Sequence, residues 1–121
     1  MILSYPPIIG SLVLLGLILS VLMGLKVIRA GVRIHAVTAS LTLLFALPHA
    51  VRGWLYVVRF HEGVHPPQVV GTLVVLGLLV NMLIGNGKIQ ASVPVHRALG
   101  IVTLLLGLLH GIGGMRHFLF R

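Results

Sequence analysis

Four histidines lie within two long apolar stretches of the sequence, in pairs of identical spacing. His35 and His49 bound the first stretch, His96 and His110 bound the second, and fourteen residues separate the histidines of each pair. In an α-helix fourteen residues make nearly four turns and rise ~21 Å, so both imidazoles lie on almost one face. Two such helices side by side would present two pairs of facing imidazoles. Two haems would need that arrangement if each took one axial histidine from both helices.

The composition places these stretches in a membrane. Of the 121 residues, 58% are hydrophobic and 8% are charged, and the mean hydropathy is +1.14. The absence of cysteine excludes disulfides, thiolate metal sites and covalent c-type attachment, so any haem would be non-covalent haem b. The net charge of +8 comes from residues at the ends of apolar runs. Anionic membrane lipids or cofactor carboxylates are therefore the expected partners of these charges, and nucleic acid is not.

Other roles of intramembrane histidines stay open. A single one can simply form a hydrogen bond between helices. A tetrahedral zinc site is disfavoured, because the sequence has no cysteine and one acidic residue, and each membrane level would offer two imidazoles. Chlorophyll-type pigments also bind lone histidines, but they do not account for two facing pairs. The matched spacing favours bis-histidine haem ligation.

The apolar runs predict an all-α, integral membrane four-helix bundle. Its helices are expected in one domain, 1–121, at about 7–26, 33–58, 67–86 and 94–116. Short connections make successive helices antiparallel, so the second and fourth run parallel. His35 then faces His96 near one membrane surface and His49 faces His110 near the other, with both haems between helices two and four. The N-terminus lacks the features of a signal peptide, so the first helix is expected in the mature protein.

The two halves of the sequence resemble each other at an offset of 61 residues. The shift aligns histidines and glycines, which apolar composition alone would not align. The aligned identities include Gly10/Gly71, Gly16/Gly77, Gly24/Gly85, His35/His96, Thr42/Thr103, His49/His110 and Gly53/Gly114. The sequence therefore predicts a duplicated two-helix unit with a pseudo-twofold axis along the membrane normal.

Glycines in the histidine-free helices repeat the spacing of the histidines. The candidate cofactor-binding glycines are again fourteen residues apart within each helix: Gly10, Gly24, Gly71 and Gly85. A haem pressed between two ligand helices needs its other neighbours to lack bulk, and glycine supplies that gap. Since the first two helices are antiparallel, Gly24 is expected at the depth of His35 and Gly10 at that of His49. The glycines between them are assigned to helix packing: Gly16 and Gly77.

Basic side chains near the histidines are candidate partners of haem propionates. Arg52 follows His49 by three residues, on the same helix face. Arg33 and Arg97 flank the other histidine pair and could act likewise or bind lipid headgroups. The remaining histidines lie in a loop and a tail on one side, where they are expected to be solvated, with a proton-transfer role left open: His61, His65 and His117.

At these residues the sequence resembles the N-terminal, haem-carrying half of cytochrome b, the membrane subunit of quinol–cytochrome c oxidoreductases. The likeness covers nearly the whole chain and is most specific in the first two helices. There it rests on Gly10-Ser11-Leu12, Gly24, His35-Ala36, Ala39-Ser40, His49, Arg52-Gly53 and Tyr56. In the other two helices it is looser and rests on Gly71, Gly85, His96 and His110. The resemblance implies two b-type haems, ligated by His35/His96 and His49/His110, that form a transmembrane electron path.

The chain also departs from that family. It lacks the family's long connections, further helices and Pro-Glu-Trp-Tyr quinol-site signature, and Glu62 is its only carboxylate side chain. The haem sites are therefore carried over, and the catalytic quinone sites are not.

The expected function is electron transfer across a membrane, within a larger quinone-linked oxidoreductase complex or a homo-oligomer. Bis-histidine ligation leaves no open iron position, which favours electron conduction over oxygen activation. The multi-pass chain is expected in a prokaryotic-type energy-transducing inner membrane. One alternative is a quinone reductase with a subunit-interface pocket formed by His61, His65 or His117. Another is a pigment-binding or assembly subunit without redox turnover.

Overall fold

The chain forms four α-helices joined by short turns. The computed structural model describes residues 6–120, and within them the helices are α1 (Pro6–Gly24), α2 (Val32–Phe60), α3 (Pro66–Gly85) and α4 (Val93–Leu119). Each helix is long and apolar enough to cross a membrane. The prediction of an all-helical fold with four helices long and apolar enough to span a membrane is therefore confirmed. Residues 1–5 and 121 of the predicted domain lie outside the described residues.

The helix ends lie one to three residues from the predicted positions. The first helix ends at Gly24, before the predicted position 26, because Lys26 takes a left-handed conformation with φ of 61°. The last helix continues to Leu119, so His117 lies in its final turn and not in a tail. The connection between α2 and α3 begins at His61, which is also left-handed, with φ of 50°.

The helices pack as a square in which sequence neighbours are side by side. Helix α1 contacts α2 and α4, and α3 likewise contacts α2 and α4. Among the described residues, α2 makes no direct backbone contact with α4, and α1 makes none with α3. The two histidine-bearing helices therefore lie on one diagonal of the bundle, with space between them.

A small apolar core fills the middle of the bundle. Its buried members come from three helices: Val13, Leu17, Leu43, Ala46, Val74 and Leu78. Leu43 and Ala46 lie between His35 and His49 in the chain, so the core separates two levels of histidines. Many other large apolar side chains are exposed on the outside of the bundle, as expected for helices that face lipid.

Two glycine–threonine contacts hold the adjacent helices of each half together. A Cβ added to Gly16 would overlap Thr42 Oγ1, and one added to Gly77 would overlap Thr103 Oγ1. Both threonines are buried, and each hydroxyl donates a hydrogen bond to the carbonyl four residues earlier in its own helix. Gly16 and Gly77 thus act in close helix packing, as the sequence predicts.

Candidate functional site

The structure brings the four intramembrane histidines together as two facing pairs. The ring centroids of His35 and His96 are 6.2 Å apart, and those of His49 and His110 are 6.0 Å apart. The rings are nearly perpendicular in both pairs, at 88° and 84°. Each pair joins α2 to α4 across the diagonal, which is the pairing that parallel helices and equal spacing predict.

The separation within each pair fits a single metal ion bound between two imidazoles. Because a bound transition metal lies about 2 Å from an imidazole nitrogen, and the ring centroid about 1 Å beyond, two rings on opposite sides of one metal have centroids about 6 Å apart. Rotation of either ring about the shared axis leaves that distance unchanged, so perpendicular rings fit equally well. Contact between two rings edge to face gives similar distances. The centroid distance alone therefore does not distinguish the two arrangements.

All four predicted glycines lie against a histidine on the helix that follows their own. A Cβ added to Gly24 would lie 3.5 Å from His35 Cε1, and one added to Gly10 would lie 3.6 Å from His49 Cε1. The depths are those expected from the antiparallel helices. The gap that each glycine provides faces the edge of an imidazole ring, whereas the sequence predicts a gap for the haem itself.

The second half of the chain repeats these contacts more tightly. A Cβ added to Gly85 would lie 3.4 Å from His96 Cε1, and one added to Gly71 would lie 2.8 Å from His110 Cε1. Real Cβ atoms essentially never approach another atom this closely, so at Gly71 a side chain would force the imidazole to move. Glycine at this position is therefore required by the location of the His110 ring.

A backbone carbonyl orients one of the imidazoles. His110 Nδ1 lies 2.8 Å from the Pro67 carbonyl oxygen, to which it donates a hydrogen bond in the tautomer protonated at Nδ1. That tautomer leaves Nε2 unprotonated and able to bind a metal. Second-shell hydrogen bonds of this kind fix the orientation of metal-binding histidines in general.

The level of His35 and His96 contains a cavity that is partly open to the surroundings. Its lining includes Gly24, Gly85, Arg97 and both histidines. Eight further lining residues have apolar side chains, so a largely apolar ligand would be well accommodated.

Four buried polar atoms at this cavity have no hydrogen-bond partner among the described residues. They are His35 Nδ1, His96 Nδ1, Ser20 Oγ and Asn81 Oδ1. An unpartnered buried polar group costs free energy, and more so inside a membrane, where water does not compensate. The cavity is therefore suited to a ligand with polar or metal-binding groups, and not to a lipid chain alone.

The three candidate arginines differ in position. Arg97 is half-buried and lines the cavity beside His96. Arg33 is exposed in the first turn of α2 and is not among the residues that line this cavity. Arg52 is exposed on α2, one turn beyond His49. Of the three, Arg97 is thus the one that the structure places at the wall of a cavity.

A second cluster of polar side chains lies at the α2–α3 connection. Tyr56 Oη donates a hydrogen bond of 3.4 Å to Glu62 Oε1. His65 Nε2 is 3.8 Å from Glu62 Oε2, an ion pair when the imidazole is protonated, and the His65 and His117 ring centroids are 6.2 Å apart. The structure thus brings together His65 and His117, while His61 serves as the left-handed residue after α2. All three histidines are exposed, as the sequence analysis expected.

No group of three or more histidine, cysteine or acidic side chains within residues 6–120 is arranged to hold a metal ion. Each histidine level offers two protein ligands. A metal bound there would need its other ligands from elsewhere, and a porphyrin provides four in one plane.

Three polar groups near the histidines are not predicted by the sequence as site groups: Ser20, Asn81 and the Pro67 carbonyl. Ser20 and Asn81 are equivalent at the 61-residue offset, and each lies four residues before a histidine-facing glycine. Their equivalence at this offset and their spacing from the glycines are the sequence features that could have identified them. No sequence feature could have identified the carbonyl contact, because every residue has a backbone carbonyl.

Comparisons with protein-family models, with curated proteins and with solved structures found no match to this chain.

Proposed function

We propose that the chain is a minimal di-haem cytochrome of the b type that conducts electrons across a membrane. One observation carries the proposal: two pairs of imidazoles face each other across the same diagonal, at separations that fit one metal ion each. His35 and His96 would hold one haem b, and His49 and His110 the other. A haem held by these residues would supply a one-electron redox couple.

The placement of the residues supports conduction along the membrane normal. The two histidine levels lie ~21 Å apart along their helices, which is most of a hydrocarbon core ~30 Å thick. The apolar core between the levels excludes water. Glycines keep the neighbouring helices close to the imidazole edges, and the Pro67 carbonyl holds one ring in the metal-binding tautomer. Arg97 is the best-placed cation for a haem propionate because it lines the cavity.

An internal duplication is part of the proposal and is supported by equivalent contacts at the 61-residue offset. Gly16–Thr42 corresponds to Gly77–Thr103, and Gly24–His35 corresponds to Gly85–His96. The turns after α1 and α3 also share a hydrogen-bond pattern, in which the nitrogens of residues 27 and 88 donate to the carbonyls of residues 22 and 83. Such agreement is expected if one two-helix unit was doubled.

Partners are part of the proposal. We place the bundle within a larger oxidoreductase complex or a homo-oligomer, which would deliver and collect the electrons. A prokaryotic-type energy-transducing inner membrane is the proposed location. A quinone bound near one haem at a shared surface is the proposed link to other carriers.

Haem content tests the proposal directly. The purified protein should give a b-type reduced-minus-oxidised spectrum and two haems per chain by pyridine haemochrome assay. His35→Leu and His96→Leu should each remove the same haem, and the double variant should lose no more than either. His61→Leu, outside the site, is the matched control and should keep both. A protein without haem, or one that binds a chlorophyll-type pigment instead, would refute the proposal.

A second candidate function is quinone reduction at the α2–α3 connection. It is favoured by the arrangement of Glu62, His65 and His117, which places titratable groups on the side of the bundle nearer to His49 and His110. A quinone needs proton donors as well as electrons. If His65→Leu and His117→Leu abolish quinone-dependent haem oxidation and leave both haems bound, this cluster is the quinone site. Unchanged rates in both variants would eliminate it.

A further inference from the structure

The turns after α1 and α3 have the same backbone structure but different residues at one strained position. In both turns the amide nitrogens of residues 26 and 87 donate to carbonyls three residues earlier, with distances of 3.0 Å. The next two amides in each turn share one carbonyl acceptor, that of Leu22 or Leu83. Residues 26 and 87 are both left-handed, with φ of 61° and 72°. One of them is Gly87, whereas the other is Lys26.

Lysine is an unfavourable residue for this conformation. A side chain in the left-handed region brings Cβ close to the following carbonyl oxygen, which glycine avoids. The second turn shows that a lysine fits nearby without this strain, because Lys88 directly follows Gly87 and does not have a positive φ. A cation that merely complemented the negative end of helix α1 could occupy the corresponding position 27. A lysine at position 26 therefore places its ammonium group at a different point from a lysine at position 27.

That place is an open groove with both charged and apolar walls. Its lining consists of Met23, Lys26, Ile28, Arg29 and Ala30. Lys26 and Arg29 are exposed, and the only acidic residue of the sequence, Glu62, lies in the α2–α3 connection at the opposite end of the bundle. No carboxylate side chain of this chain can therefore neutralise the two cations. Two adjacent cations beside apolar side chains are complementary to a phosphate that carries a hydrocarbon tail.

We propose that the Lys26–Arg29 groove binds the phosphate group of an anionic membrane phospholipid. The groove lies at the end of the apolar helix α1, where the headgroups of a surrounding bilayer would be. Met23 and Ile28 would contact the first carbons of the acyl chains, which a free phosphate ion lacks. The free energy of lipid binding offsets the conformational strain at Lys26, so lipid binding and backbone strain depend on the same residue. This inference does not depend on haem.

Lipid-dependent thermal unfolding tests the proposal. The full-length protein and its variants would be reconstituted in nanodiscs of phosphatidylcholine alone or of an equimolar mixture with phosphatidylglycerol. A ligand that binds only the folded state raises the unfolding temperature. For the unsubstituted protein we expect a higher Tm in the anionic discs. Lys26→Gly should have a higher Tm than the unsubstituted protein in phosphatidylcholine, because the strain is gone, and should lose at least half of the increase given by phosphatidylglycerol.

Three variants complete the test. Lys26→Arg keeps both the charge and the strain, and should keep the lipid effect, whereas Arg29→Gln should lose it. Lys88→Gln removes one charge from the same side of the bundle outside the groove and should keep it. If Lys88→Gln loses as much as Lys26→Gly, the effect is general surface charge and the proposal fails.

The proposal also fails if Lys26→Gly retains the full effect. Inorganic phosphate, compared with chloride at equal ionic strength, should not raise the Tm in phosphatidylcholine discs. If it does so to the same extent as phosphatidylglycerol, the ligand is a free anion and the lipid assignment is wrong.

Discussion

Replacing Gly71 by alanine should disrupt one histidine level selectively. The added Cβ would lie 2.8 Å from His110 Cε1, 3.1 Å from Nδ1 and 3.4 Å from Nε2. The ring cannot swing away freely, because its Nδ1 is hydrogen-bonded to the Pro67 carbonyl at 2.8 Å. Relieving the overlap therefore breaks that bond or moves α3 away from α4.

Two contributions lower the free energy of unfolding of this variant, and one raises it. Overpacking in a close-packed interior costs about 1–3 kcal/mol. Loss of the Nδ1 hydrogen bond adds about 1 kcal/mol. Replacing a helical glycine by alanine returns up to about 1 kcal/mol. Gly71→Ala should therefore destabilise the protein by about 1–3 kcal/mol. The equivalent Gly10→Ala places its Cβ 3.6 Å from His49, an ordinary contact, and should be neutral or slightly stabilising.

The comparison of the two variants is made on purified protein in one detergent. Unfolding is followed by helical circular dichroism, and haem content by the pyridine haemochrome assay. We expect Gly71→Ala to unfold more readily and, if haem binds as proposed, to lose the haem assigned to His49 and His110, while Gly10→Ala keeps the haem content of the unsubstituted protein. Equal stability and equal haem content in the two variants would show that the imidazole does not lie where the structure has it.

Substitutions at three further sites test individual contacts, each by the same unfolding measurement. Trp54→Phe removes the indole hydrogen bond of 2.9 Å to Thr72 Oγ1 and should cost about 1 kcal/mol. Because the two side chains share this bond, Thr72→Val should cost less in the Trp54→Phe background than in the unsubstituted protein. Gly77→Ala would overlap the buried Thr103 and should destabilise by about 2 kcal/mol, so unchanged stability would contradict the observed helix spacing. Ser20→Ala removes a buried hydroxyl that has no protein partner among residues 6–120, and should be neutral or stabilising by up to about 1 kcal/mol, whereas a clear loss would reveal a hydrogen bond to that hydroxyl.

The pairing of the histidines could be predicted from sequence because long apolar helices behave as nearly straight rods. Short turns make neighbouring helices antiparallel, and a spacing of fourteen residues then fixes the distance between the two histidine levels along the bundle. The register of Gly24 against His35 follows from the same geometry. The diagonal arrangement also agrees with that reasoning, since haems were expected between the second and fourth helices. These features depend on periodicity and helix length, which the sequence displays directly.

Local features could not be predicted in the same way. The left-handed Lys26 ends α1 two residues early, although lysine rarely takes this conformation. The Pro67 carbonyl contacts a side chain 43 residues away, which requires the packed bundle. Arg97 and Arg33 are each close in sequence to a histidine, yet of the two only Arg97 lines the cavity, because Arg97 follows its histidine by one residue and Arg33 precedes its own by two, which places them at different angles around their helices. Such details depend on packing angles and rotamers.

The diagonal placement of the histidines has a consequence for how the chain could be divided. Each pair takes one ring from the α1–α2 hairpin and one from the α3–α4 hairpin, so neither hairpin alone contains a complete pair. The connection at residues 61–65 is the only covalent link between them. A protein cut there would consist of two fragments that can form either histidine pair only in association. Recovery of paired imidazoles from separately expressed hairpins would therefore report directly on reassembly of the whole bundle.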